Sequence, residues 1–218
     1  MKAITISQPT ANKTLIGVSL SLALPFLFAV FGKHLGFSLW INEIIWWSIG
    51  GLVFTYLLVV EKRPLRSAGF KAVGLKELGW GFLLGILLFF LFPLLNVVVS
   101  YFGWPVSQEK ASIIGSLPVY ALFILALRAA VVEDLLFRAY SIERLEELTG
   151  NKLLSGALPL LLFVLAHLQW GAGHLLFVTG AGLLLTIFYS WKRNIWINII
   201  GHFLVDFTLF MMIPMMKK

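Results

Sequence analysis

The sequence predicts an all-α protein, a polytopic transmembrane helix bundle of about seven spans. Hydrophobic residues make up 60% of the chain and charged residues only 12%, whereas a soluble domain usually carries about 25% charged residues. The mean hydropathy is +0.93. The apolar residues also fall into stretches of about 20, the length that a helix needs to cross a bilayer. These observations indicate an integral, multi-pass membrane protein whose main partner is the lipid bilayer.

The candidate spans follow one another along the whole chain. They cover residues 14–32, 42–60, 78–102, 117–139, 153–170, 174–191 and 195–213. Lysine and arginine are concentrated in the N-terminal segment and in the loops 61–77, 138–152 and 191–194. Because cytoplasmic loops carry an excess of these residues, we expect the N-terminus and these loops to be cytoplasmic. We expect two parts, namely N-terminal transmembrane helices over residues 1–116, with three spans, and a transmembrane core over residues 117–218, with four spans.

Local patterns refine some of these elements. The basic loop 61–77 is interpreted as a topology determinant, with a surface patch for anionic lipid as the alternative. Residues 139–149 place apolar side chains at three-residue spacing between charged ones, which is typical of a short amphipathic helix at the membrane interface. Gly150 and Asn151 are expected to end that helix. Gly81 and Gly85 would let a neighbouring helix approach closely.

Composition excludes several classes of protein. The chain has no cysteine, so disulfides, thiolate zinc sites and cysteine nucleophiles are absent. The net charge of +7 is spread over short loops, where it sets membrane orientation. It therefore does not indicate a nucleic-acid partner.

Three ionisable residues, Glu133, Asp134 and Arg138, end the apolar stretch 117–139. A charge at the bilayer centre costs about 2.5–3.5 kcal/mol on insertion scales. Asp134 and Arg138 are four residues apart and can pair on one helix face, while Glu133 points about 100° away. An arrangement in which one carboxylate pairs with Arg138 and the other exchanges protons would suit general acid–base catalysis. The alternative is a charge cluster at a helix end that faces water. Arg128, in mid-span, is expected to balance Glu133 or Asp206.

Two later spans carry histidines. His167 lies late in one apolar stretch, and His202 and Asp206 share a helix face in the last one. Considered alone, His167 can be an inert histidine in the aromatic belt of the membrane interface. Considered alone, His202 and Asp206 can be a pair that binds only each other and fixes the packing of the helix. Together with Glu133 they can satisfy one another inside a small apolar protein. Two imidazoles and a carboxylate (Glu133, His167 and His202) can hold zinc, or they can position a water without metal.

The span boundaries that hydropathy suggests do not place Glu133 and His167 at the same depth in the membrane. Residue counts from the cytoplasmic ends of the spans place His167 roughly 10 Å from the depth of Glu133. A helix that starts near Pro159, a favourable first helical residue, would reduce that difference. We therefore predict a later helix start than hydropathy suggests.

At these residues the chain resembles the CAAX protease and bacteriocin-processing family of intramembrane proteases. Glu133-Asp134-x-x-x-Arg138, Phe163-x-x-x-His167 and His202-x-x-x-Asp206 are similar, in this order, to its three motifs. The resemblance covers about residues 117–210. It implies that Glu133 and His167 activate the attacking water and that His202 and Asp206 stabilise the oxyanion. It also implies that Asp134 and Arg138 support Glu133. Family members have been described both as metalloproteases and as metal-free glutamate-dependent proteases.

Two positions bear on activity. The family has a second Glu where this chain has Asp134, shorter by one methylene. Asp206 can stabilise an oxyanion only if it is protonated, orients His202 or binds metal, because an ionised carboxylate cannot donate a hydrogen bond.

The sequence thus predicts an intramembrane endopeptidase that acts on a peptide or protein substrate in the membrane, with Zn²⁺ or no cofactor. A non-catalytic membrane adaptor or bacteriocin immunity protein of the same fold is one alternative, supported by Asp134. A small proton-coupled transporter is another, although the chain shows no internal repeat of the kind that carriers often have.

Overall fold

The computed structural model describes residues 8–215, and within that range the chain is built of α-helices without β-strands. The predicted all-α class is confirmed. The helices are α1 (Gln8–Phe31), α2 (Leu39–Thr55), α3 (Leu75–Phe102), α4 (Gln108–Gly115), α5 (Val119–Arg128), α6 (Ser141–Thr149), α7 (Lys152–Leu165), α8 (Ala172–Lys192) and α9 (Ile195–Met215). The N-terminal segment 1–7 and residues 216–218, which entered the charge pattern, lie outside the described residues.

Five helices are long and apolar enough to cross a membrane. They are Ala11–Phe31, Leu39–Val60, Leu75–Phe102, Ala172–Lys192 and Ile195–Ile213. Their outer faces carry large apolar side chains that the protein does not bury, such as Phe90 (65% exposed) and Val97 (69%) on α3. Such exposure would be unfavourable in water and is expected against lipid. The chain is therefore an integral membrane protein.

The predicted spans 117–139 and 153–170 take a different form. Helix α5 continues through two π-helical segments, Ala129–Glu133 and Leu135–Tyr140, directly into α6, and this long helix ends only at Gly150. Residues 141–149 are thus not a separate helix on the membrane surface, as predicted from their amphipathic pattern. Ser141, Ile142 and Arg144 are buried, because the polar side chains of this segment bind partners inside the protein.

Helix α7 begins at Lys152, so the predicted start near Pro159 is wrong. The side chain of Asn151 accepts a hydrogen bond from the backbone N–H of Leu154 at 3.0 Å, which is the favourable N-cap arrangement. The difference in depth disappears for another reason. Because the preceding helix runs on to Thr149, Glu133 lies sixteen residues before its end, and His167 lies fifteen residues after Lys152.

One end of the bundle gathers the loops that the charge pattern assigned to one side. The backbone N–H of Ile195 donates to the carbonyl of Gly69 at 2.9 Å, and the Asn194 side chain donates to the carbonyl of Ala72 at 3.1 Å. From α6, Arg144 binds Glu61 at 2.9 Å. The loops 61–77, 138–152 and 191–194 therefore meet at the same end. Which side of the membrane this end faces stays a prediction.

Helices α3 and α9 pack closely through glycines. A Cβ atom at Gly81 would lie 2.7 Å from the Cβ of Ile200, and one at Gly85 would lie 3.2 Å from the Cβ of Leu204. A Cβ at Gly201 would meet the side chain of Leu84 at 2.7 Å. The absence of side chains at these positions lets the two backbones approach, as predicted for Gly81 and Gly85.

Gly81→Ala is expected to destabilise the protein by about 1–3 kcal/mol, because the new methyl group overlaps Ile200 and the helices must separate. Gly79→Ala is the matched control, since a Cβ at Gly79 meets no atom within 4 Å. The measurement is the free energy of unfolding in mixed micelles with increasing denaturing detergent. Equal unfolding free energies for the two variants would contradict the close packing of α3 on α9.

Candidate active site

Glu133 and His167 line one cavity of about 250 Å³. Glu133 ends the first π-helical segment, and His167 follows the end of α7. A π-helical turn changes the direction of the side chains that follow it, and such turns are frequent at functional sites. The rest of the lining comes from both halves of the chain: Phe28, Ala29, Gly32, Asn42, Trp46, Lys110, Arg128, Phe137, Ala166, Gln169 and Trp170. Two side chains that the sequence proposed as partners therefore line the same cavity.

Glu133 is held by Arg128. The Nη1 atom of Arg128 donates to Oε1 of Glu133 at 2.5 Å, and its Nε donates to Oε1 of Glu43 at 3.2 Å. Of the two partners that the sequence suggested for Arg128, the structure brings Glu133 to it. Glu43 is 4% exposed and shares this guanidinium with Glu133. Two carboxylates and one guanidinium therefore stand beside the cavity.

Asp134 connects the acidic motif to the last helix. Its Oδ2 lies 3.1 Å from Nδ1 of His202, and the Nε2 of His202 lies 3.4 Å from Oδ2 of Asp206. Both carboxylates are acceptors, so both contacts are attractive when each ring nitrogen of His202 carries a hydrogen. His202 and Asp206 therefore do not form a private pair, and Asp134 contacts His202 rather than Glu133.

Arg138 lies behind this group and is completely buried. Its Nη1 is 3.4 Å from Oδ1 of Asp134, as the four-residue spacing predicts. The two groups attract each other as opposite charges, but neither of these two atoms has a hydrogen-bond partner among the described residues. The guanidinium also stacks on the ring of Phe163, with its Cζ 4.0 Å from the ring centroid. Arg138 thus offsets the charge of Asp134 and joins the first motif to the second.

The ring of His167 is fixed by the main chain. Its Nδ1 lies 2.7 Å from the carbonyl oxygen of Phe163, an acceptor, so Nδ1 carries the hydrogen and Nε2 keeps a lone pair in the neutral ring. The ring of His174 lies 6.0 Å from it and stacks on Trp170 at 4.7 Å. His167 can therefore accept a hydrogen bond through Nε2.

The six predicted site residues form two adjoining groups. Glu133 and His167 line the cavity, while His202 and Asp206 do not belong to its lining within residues 8–215. The two groups touch through the consecutive residues Glu133 and Asp134. Within the same range no three side chains of His, Cys, Asp or Glu converge closely enough to hold a metal ion. The donors Glu133, His167 and His202 do not fit a zinc site in this arrangement.

Two further groups of interacting residues were not anticipated from the sequence. Glu43 lies in an apolar stretch without a motif, and its acidic side chain within a predicted span was the only sign of a role. Glu61 and Arg144 were assigned to a loop and to an exposed helix face. In the structure Arg144 is completely buried and binds Glu61 at 2.9 Å, while Tyr140 donates to the same carboxylate at 2.8 Å.

These features define a class, a helical membrane protein with acid–histidine groups beside a cavity. Residues 115–208 match the model of one family, described as type II CAAX prenyl endopeptidase Rce1-like. The resemblance predicted from the sequence is confirmed over this segment, which contains all three motifs. This family consists of membrane proteases. The match therefore supports the general assignment of the chain as a CAAX-type intramembrane endopeptidase. No curated protein and no solved structure gives a significant match to the chain.

Proposed function

We propose that the chain hydrolyses a peptide bond of a membrane-associated or lipidated peptide or protein, with Glu133 and His167 as the groups that activate water. The observation that carries this proposal is the cavity of about 250 Å³ that both side chains line. A cavity of this size has room for several waters or a short stretch of peptide. A carboxylate and a histidine in one cavity can together activate a water by general base catalysis without a metal.

In the proposed first step, a water hydrogen-bonds to Nε2 of His167 and gives a proton to the carboxylate of Glu133. The hydroxide adds to the carbonyl carbon of the scissile bond, and the carbonyl oxygen becomes an oxyanion. Glu133 then returns the proton to the leaving nitrogen as the C–N bond breaks. The products are one new carboxyl group and one new amine. Arg128 supports this step because its guanidinium binds Oε1 of Glu133 and holds the carboxylate beside the cavity.

His202 is the proposed oxyanion donor, and the scissile carbonyl would extend from the cavity of Glu133 and His167 toward the adjoining group of Asp134, His202 and Asp206. Asp134 and Asp206 lie at the two ring nitrogens of His202, at 3.1 and 3.4 Å, so a ring nitrogen that carries a hydrogen can donate to either carboxylate. The longer contact, at Nε2, is the one that a developing oxyanion can replace. A preorganised donor of this kind is worth about 10²–10³-fold in kcat. In this proposal Asp206 orients His202 and does not itself donate.

The proposal is tested with purified protein in liposomes and a mixed library of membrane-inserting peptides, with products identified by mass spectrometry. In H₂¹⁸O, each cleavage is expected to place one ¹⁸O in the new carboxyl group. His202→Ala is expected to lower kcat by about 10²–10³-fold. A strong chelator is expected to leave the rate unchanged, because the mechanism uses no metal. Cleavage that chelation abolishes and zinc restores would overturn the metal-free mechanism, and a library left uncleaved by correctly folded protein would overturn the endopeptidase.

A further inference from the structure

A second cavity, of about 340 Å³, lies at the end of the bundle that gathers the basic loops. It is formed between the loop before α3, the first turns of α3 and the turn between α8 and α9. Four of its side chains are cationic and one is a tryptophan; they are Arg66, Lys71, Lys76, Lys192 and Trp80. It shares no lining residue with the cavity of the candidate active site and is independent of the proposed function.

The walls of this basic pocket are fastened to each other. The buried side chain of Asn194 donates to the carbonyl of Ala72, and Ile195 donates through its backbone N–H to the carbonyl of Gly69. The left-handed backbone of Gly69 packs against the ring of Tyr189, where a Cβ would lie 2.6 Å from the hydroxyl. The loop that carries Arg66 and Lys71 is therefore held in place against the α8–α9 turn. The pocket is a built feature of the fold.

The positive charge of the pocket is poorly offset by the protein. In the part of the chain that the structure describes, no carboxylate lies within 4.0 Å of the basic groups of Arg66, Lys71, Lys76 or Lys192. The one acid in the lining, Glu77, accepts a hydrogen bond from the backbone of Gly74 at 2.9 Å. Lys192 is close enough to Lys76 to be repelled by it and close enough to Glu77 to be attracted by it, so one acid faces four cations in this lining. An anion in this pocket would relieve that repulsion.

The arginines near the pocket, in contrast to its four cations, form ion pairs with acids. Arg63 pairs with Glu147 at 2.6 Å, Arg144 pairs with Glu61, and Arg193 pairs with Glu143 and Glu146. Four glutamates at this end of the bundle therefore bind arginines outside the pocket, and Glu77 is the one acid that shares the pocket lining with its four cations.

The pocket also stands at a boundary between polar and apolar surface. Lys192 lies over the rings of Trp80 and Trp191, at 3.6 and 3.3 Å from the ring centroids. Tryptophans are enriched at the headgroup level of a bilayer. Leu83 (40% exposed) and Leu87 (41%) follow Lys76 by seven and eleven residues and therefore continue the same face of α3 toward the apolar part of the helix. A ligand with an anionic head and apolar chains can occupy both surfaces at once.

We propose that this basic pocket binds the phosphate headgroup of an anionic phospholipid, with its acyl chains along the outer face of α3. Basic pockets between transmembrane helices are suited to such headgroups. Phosphate accepts hydrogen bonds from several lysines and arginines together. A free phosphate ion shares this chemistry but would not use the apolar face of α3.

The test uses the full chain, purified in detergent and depleted of lipid, with binding of phosphatidylglycerol followed by native mass spectrometry. The double variant Lys71→Gln with Lys76→Gln is expected to bind phosphatidylglycerol about 30-fold more weakly than wild type. The matched control is Lys62→Gln with Lys152→Gln, which removes two exposed charges from the same end of the bundle but outside the pocket. It is expected to bind like wild type. Phosphatidylcholine is expected to bind weakly to all three proteins.

Two results would overturn the proposal. An equal loss of binding in the pocket variant and the control would assign the effect to the general surface charge. Displacement of phosphatidylglycerol by inorganic phosphate, but not by chloride at the same ionic strength, would identify a free phosphate as the ligand. Near-UV circular dichroism of both variants without lipid verifies that they fold like wild type.

Discussion

Replacing Glu133 with glutamine is expected to lower kcat for peptide hydrolysis by about 10³-fold. Glutamine has nearly the same shape and can still bind Arg128, but it cannot accept a proton from water. The cavity and the hydrogen bonds around it should therefore persist while the base is lost. The measurement is the single-turnover rate of a cleaved peptide in liposomes, where product release does not limit the rate.

Glu109→Gln is the control for this variant. Glu109 is an exposed acid in the first turn of α4, and its replacement removes the same charge without touching the acid–histidine groups. Its rate is expected to stay within about twofold of wild type, since exposed charges contribute little. A Glu133→Gln protein that retains most of the activity would show that another group activates the water.

Arg144→Met is expected to reduce the free energy of unfolding by about 3–5 kcal/mol. Arg144 is completely buried and binds Glu61, the backbone carbonyl of Ser67 at 3.1 Å and the Ser67 hydroxyl at 2.9 Å. Removing the guanidinium leaves the carboxylate of Glu61, whose side chain is 2% exposed, with only the hydroxyl of Tyr140. An unpaired buried charge is the costly outcome.

Two further variants separate charge from packing in this measurement. The double variant Arg144→Met with Glu61→Met is expected to recover part of the lost stability, because it leaves no unpaired charge. Arg63→Met removes an exposed partner of Glu147, with side-chain exposures of 24% and 35%, and is expected to cost at most about 1 kcal/mol. If Arg63→Met and Arg144→Met destabilise equally, burial does not determine the cost.

Hydropathy was sufficient for the fold class and for most of the spans. Hydropathy gave the wrong boundary where one continuous helix, from α5 through α6, passes from an apolar segment to a polar one. The pattern of Ile142, Leu145 and Leu148 indicated an amphipathic helix, and the helix exists, but its polar face is turned toward other parts of the protein. A single sequence cannot show that Arg144 has a buried partner in Glu61, because the two residues are far apart in the chain.

The candidate site was predictable where its pairs are local. The four-residue spacings of Asp134 with Arg138 and of His202 with Asp206 correspond to ion-pair contacts in the structure. The contact of Asp134 with His202 joins two helices and could only be expected from the cost of charge in lipid. Glu43 was not identified, because its position depends on how α2 packs against the long helix of Arg128. The catalytic roles of all these residues stay predictions.

The residues that line the cavity of Glu133 and His167 come from two different parts of the chain. Glu133 and His167 lie within the matched segment 115–208, but Phe28, Asn42 and Trp46, which line the same cavity, lie before it. In the proposed mechanism, changes in helices α1 and α2 would therefore reshape the space for a substrate while Glu133 and His167 stay unchanged. Exchanging these two helices between homologues would be a way to alter substrate preference, provided that an acid remains at the position of Glu43.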